Sequence, residues 1–121
     1  SEYIMKKTFI LFISLIFVLA ACGKKYDKEI EQVTKLEQKS VEESQLDNVK
    51  KFERNSSDYK VYENGNKIVV SYKPFKDSET VMSDLFEKNQ TSGDYEEVEN
   101  VNVEKYQKNN KPDYEENNLK K

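Results

Sequence analysis

The chain has 121 residues, with 20 Lys and Arg against 23 Asp and Glu, a net charge of −3, no His, no Trp, one Cys and three Gly. That composition leaves no imidazole base, no Ser-His or Cys-His nucleophile pair, no His/Cys zinc set, no glycine loop to cradle phosphate and no intramolecular disulfide. The acidic balance argues against nucleic acid as a partner, because phosphate binding needs a basic patch. Carboxylates are plentiful, but no pair is singled out by spacing. No metal, cofactor or enzymatic activity is therefore expected.

Met5 is the expected start of translation, with Ser1-Glu2-Tyr3-Ile4 lying upstream of it. Lys6 and Lys7 then form a short basic head, and Phe9 to Leu19 form an apolar run broken only by Ser14. This is the pattern of a secretory signal. The run is shorter than the roughly 20 residues that a membrane-spanning helix needs. It ends in Leu19-Ala20-Ala21-Cys22, which resembles the bacterial lipobox. Two small residues suit a peptidase cleft, and the following thiolate is the nucleophile that accepts a diacylglycerol. The expectation is a signal peptide over residues 1–21, cleavage before Cys22, and a lipid anchor on Cys22. Loss of Lys6, Lys7 and Glu2 would move the net charge from −3 to −4.

Residues 22–25 form a very short tether, in which Lys24 and Lys25 either attract anionic headgroups or simply solubilise the chain. The folded domain is expected over 26–121. From Tyr26 to about Leu46, good helix formers dominate without Pro or Gly. Ile30, Val33 and Leu36 supply a narrow apolar stripe, with Val41 less clearly in phase. Asn55-Ser56-Ser57-Asp58 marks a turn. Tyr59–Glu63 and Lys67–Lys73 flank Asn64-Gly65-Asn66, a hairpin signal, because Asn and Gly accept positive φ. Ile68, Val70 and Tyr72 fall on one face of the second strand, and Pro74 ends it.

Thr80–Glu87 reads as a third strand with Val81, Ser83 and Leu85 on one face, although a helix is also compatible. Tyr95–Val98 reads as a fourth strand, paired with the third across Asn89–Asp94. A short helix from Val101 to Lys108 is expected to be capped by Asn102. Past Pro112 the tail is polar and expected to be mobile. Tyr59, Tyr62, Tyr72, Tyr95 and Tyr106 either complete a small core or form an exposed binding face. On the second reading Tyr62, Asn64, Gly65 and Tyr72 are the candidate interaction surface.

The predicted architecture is α+β, one helix packed on a four-stranded antiparallel sheet. With the lipobox, with Tyr26-Asp27-Lys28-Glu29-Ile30-Glu31, and with Val61-Tyr62-Glu63-Asn64-Gly65, Ile68 to Lys76 and Lys111-Pro112-Asp113-Tyr114, the chain resembles the staphylococcal cystatin-like fold lipoproteins. The resemblance implies a helix cradled by a sheet and lipid-anchored on the outer face of a Gram-positive membrane, with a link to mobile elements in some relatives. It does not imply protease inhibition: the inhibitory Gln-x-Val-x-Gly segment is missing, and Gln32-Val33 lies in the predicted helix. The expected role is a non-enzymatic binding module for an envelope or secreted protein. The alternative is a small-ligand pocket between helix and sheet.

Overall fold

The computed structural model describes residues 25–119. The sequence features over 1–24, including the signal run, Leu19, Ala20, Ala21 and Cys22, lie outside the described residues. Among the described residues no helix is long and apolar enough to cross a membrane.

Helix α1 spans Asp27–Glu43, and Asp27 and Glu29 in its first turn suit the positive end of the helix dipole. Its buried stripe is Ile30, Val33, Thr34 and Glu37. Leu36, expected in that stripe, is 37% exposed. The cause is helical period: positions i, i+3, i+4 and i+7 share a face, whereas i+6 lies about 120° away. Val41 comes back into phase at i+11 and packs against the core.

The sheet has five strands, β1 Asp58–Tyr62, β2 Lys67–Tyr72, β3 Met82–Lys88, β4 Tyr95–Glu97 and β5 Tyr114–Asn117, in the order β4-β3-β2-β1-β5. Every neighbouring pair is antiparallel. The expected count was four. The fifth strand comes from the tail that was expected to be mobile. Its Tyr-Glu-Glu-Asn sequence carries no β-branched residue, so its strand character comes from partners, not from propensity. Tyr59 faces Glu116 and Val61 faces Tyr114 across the β1–β5 ladder. Arg54 grips Glu116 through Nε at 2.9 Å and Nη2 at 2.8 Å, and Asp58 accepts from the amides of Asn118 and Leu119 at 2.7 and 2.8 Å.

The third segment is a strand, not a helix, and it starts at Met82, leaving Val81 exposed ahead of it. Helix α2, Val103–Asn109, starts where Asn102 caps it by accepting from the Lys105 amide at 3.0 Å. It carries the chain from the β4 edge to the β5 edge across the sheet face opposite α1. There Val98, Val103 and Tyr106 cover Tyr62, Val69 and Leu85. The main core lies on the α1 side, where Ile30 and Val33 pack on Phe52, Tyr59, Val61, Ile68, Val70, Tyr72, Phe86 and Tyr95.

The β1–β2 hairpin forms where Asn-Gly indicated, through a four-residue connection in which Glu63, Asn64 and Gly65 all have positive φ. Gly65 has φ +95°, and a Cβ there would stand 3.2 Å from the Tyr26 ring. The Gly65 carbonyl also accepts from the Tyr95 hydroxyl. Gly65→Ala therefore combines backbone strain with a steric clash. We expect it to lower stability by about 1–2 kcal/mol in urea denaturation, whereas Gly93→Ala, with open space around its Cβ, shows only the backbone part.

Candidate functional site

Three carboxylates meet between α1 and the β3–β4 edge of the sheet. Glu37 points down from α1. Asp84 and Glu97 rise from the sheet face toward it, because Asp84 pairs with Val70 and Glu97 with Phe86, both residues of the α1 side. One carboxylate oxygen from each of the three lies within 4.8 Å of the others. Tyr72, at the end of β2, lies on the same sheet face, and its phenol and the Glu37 carboxyl influence one another's protonation. Burial is graded across the group: Glu37 is 1% exposed, Asp84 is half-buried, and Glu97 is open to solvent.

Glu37 is the residue out of place by ordinary rules. A carboxylate is rarely fully buried without a counter-charge. Yet its Oε2 has no hydrogen-bond partner. Among the described residues none of the three acids forms an ion pair with Lys or Arg. Burial, followed by the adjoining Asp84, pushes the Glu37 carboxyl up to about 9. Burial and the charges of Asp84 and Glu99 also raise Glu97. Burial and the charge of Glu37 raise the Tyr72 phenol. At neutral pH the group can hold a proton on Glu37 or a cation in its place.

A second polar region is a groove beside Arg54, bordered by Glu31, Glu53 and Glu116. Its guanidinium is committed: besides Glu116 it bonds Asp27 at 2.9 Å and Glu31 at 2.5 Å. Glu116 first, then Glu31 and Asp27, hold Arg54 firmly charged against the opposing effect of burial. The Arg54 donors are occupied by acids, so among the groove's bases only Lys51, at the rim, stands outside the ion pairs of the described residues. The Arg54 cluster is a clamp between α1 and β5.

The family described as "Domain of unknown function with cystatin-like fold (DUF4467)" matches residues 26–118. The chain belongs to the DUF4467 family. A solved crystal structure of a DUF4467 family protein from Staphylococcus aureus subsp. aureus Mu50 is similar at 27% identity and a TM-score of 0.71, covering 77% of this chain and 97% of that one. No curated protein matches the chain.

The DUF4467 fold places the sequence-derived site residues as follows. Tyr62 is buried under α2, where its ring packs edge-on to Tyr106 at 5.0 Å. Gly65 is buried under Tyr26, and of the four candidate surface residues only Asn64 is exposed. Tyr72 is buried too, edge-on to Phe52 at 5.1 Å, and its phenol lies beside the acidic group. Three of the four therefore do not present an open face. Tyrosine fills this core because the domain has few Leu to fill it, and the Tyr59 and Tyr95 phenols hydrogen-bond to Thr34 and to the Gly65 carbonyl. Sequence inspection missed Glu37, Asp84 and Glu97. The available signal was Glu37, seven residues after Ile30 and so in phase with the buried stripe.

Proposed function

We propose that this DUF4467 protein is a non-enzymatic surface protein, held by lipid on Cys22 at the outer face of a Gram-positive membrane, where it binds another envelope or secreted protein. One observation carries the reading: the lipobox Leu19-Ala20-Ala21-Cys22 stands directly before the domain, with Cys22 only four residues ahead of Tyr26. Four extended residues span at most about 14 Å, so α1 would begin in or beside the headgroup layer. On this reading the end of the domain where α1 begins lies toward the bilayer. Tyr26 packs on Gly65, and Asn66 bonds Lys88 and Gln90, so the loops at 63–66 and 89–94 share the end where α1 begins.

Under that reading the expected hairpin-tip surface faces the membrane. The end available to a partner is the opposite one, about 25 Å along α1, where segment 48–50 pairs with 74–76. Leu46, Val81 and Met82 are exposed there. The alternative, an organic ligand between helix and sheet, has less support, because Ile, Val and Tyr side chains occupy that interior.

The test is Cys22→Ala with fractionation of cells. The variant is expected to lose incorporated fatty acid and leave the membrane fraction while keeping a wild-type circular dichroism spectrum. Wild-type membrane retention would overturn the anchoring. A photoreactive residue at position 81 should crosslink to an envelope or secreted protein in intact cells, while one at position 64 should not. Adducts confined to lipid-processing enzymes would overturn the interaction.

A further inference from the structure

We propose that Glu37, Asp84 and Glu97 form a binding site for one hard divalent cation, calcium or a similar ion, bridging α1 to strands β3 and β4. Two independent observations support it. The first is convergence. Three carboxylates from three elements bring oxygens within 4.8 Å of one another, a separation that one ion about 2.3–2.6 Å from each oxygen can bridge. The second is the buried end of the group. Glu37 is 1% exposed, is turned toward the other two acids, and leaves Oε2 without a donor. A purely structural carboxylate at that depth would be expected to end on a Lys, an Arg or a set of backbone amides. Here the surroundings are more carboxylate and one phenol.

The donor set fixes the class of ion. All three ligands are carboxylates and no His or thiolate is near, which suits calcium, magnesium or manganese and not zinc or copper. The graded burial suits a half-open site. Glu37 would bind from beneath and Glu97 from the solvent side, with water completing the coordination shell. A site with three protein ligands and an open side belongs to the weak range of extracellular calcium modules, with Kd about 10⁻⁴–10⁻³ M.

The experiment is calorimetric titration of the detergent-solubilised protein with calcium, magnesium and manganese chlorides at neutral pH. One equivalent should bind. Glu37→Gln and Glu97→Gln should each weaken binding more than about tenfold. Glu97 is exposed, so its variant keeps the test decisive even where Glu37→Gln alters folding. Terbium provides a second readout, since Tyr72 beside the site should sensitise its emission, and Tyr72→Phe should remove that signal while leaving calcium affinity within about threefold. Absence of saturable binding of any of the three ions up to about 10 mM would overturn the proposal. So would binding that is unchanged in the Glu97→Gln variant.

Discussion

Glu37→Gln is expected to stabilise the protein at pH 8 and to remove most of the dependence of its stability on pH between about 5 and 9. The cause is the raised folded-state pKa of Glu37, about 9 against an ordinary 4.5. Between those values the folded protein holds a proton that the unfolded chain has lost, so unfolding releases it. The stabilising contribution is complete below pH 4.5, and it is lost as pH rises through 9. The slope approaches about 1.4 kcal/mol per pH unit while the folded carboxyl is protonated and the unfolded one is not. Gln keeps the shape, but it has no proton to lose. Urea midpoints measured at pH 5, 6, 7 and 8 should fall steadily for the parent and stay nearly level for Glu37→Gln. Three pH units at that slope amount to about 4 kcal/mol, so at pH 8 the variant should be ahead by up to about that much. Parallel profiles for the two proteins would mean that Glu37 does not hold its proton.

Ending the chain after Asp113 is the second change expected to have a large effect. It removes β5 and with it the β1–β5 ladder, the Arg54–Glu116 pair, the Tyr26–Tyr114 contact at 6.0 Å and the bonds from residues 118 and 119 to Asp58. It also leaves Arg54 half-buried beside Asp27 and Glu31 alone, and it turns β1 into an edge strand. A charge-assisted hydrogen bond contributes about 1.5–3 kcal/mol and an aromatic pair about 0.5–1.5 kcal/mol. The truncation should therefore cost about 4 kcal/mol, a large share of the 5–15 kcal/mol typical of a whole domain. Glu116→Gln, which keeps the strand and loses only the charge, should cost about 1 kcal/mol by the same thermal or urea measurement. A truncated protein as stable as the parent would show that the tail contributes nothing to the fold.

These two predictions turn on parts of the chain that the sequence disclosed least. The elements that bury apolar side chains at a clear period were legible: the α1 stripe through Ile30 and Val33, the alternation of Ile68, Val70 and Tyr72, the Asn-Gly connection, and the Asn102 cap. In each case local chemistry and tertiary packing demand the same conformation. β5 was not legible because Tyr-Glu-Glu-Asn becomes a strand only when β1 offers its open edge and Arg54 offers its charge. Leu36 misled because it is apolar at i+6, while the buried neighbours in phase, Thr34 and Glu37, are polar. Thr34 satisfies its hydroxyl on Ile30 and Tyr59, each at 2.7 Å, so its burial has a local explanation. The acidic site was hidden for a different reason. Glu37, Asp84 and Glu97 are far apart in sequence, and only the sheet register places them together. A strand reading of residues 80–87 with the correct pleat already puts Asp84 on the side of Phe86, facing the helix. Which helical residue it would meet depends on how α1 lies on the sheet, and no single segment encodes that.

The two outer strands share a feature whose consequence lies between molecules. β4 is Tyr95-Glu96-Glu97, and β5 opens with Tyr114-Glu115-Glu116, so both free margins of the sheet carry the same tripeptide. An unpaired strand margin is a template on which a second copy can extend the sheet. An in-register antiparallel pairing of two such margins would set the central Glu of one against the central Glu of the other, and like charges directly opposed across a ladder repel. Three residues of β4 also offer little length for a foreign strand to register against. A lipid anchor would confine copies to a plane and raise their collision frequency far above that in free solution. On such a surface, two short acidic margins would help crowded neighbours stay separate.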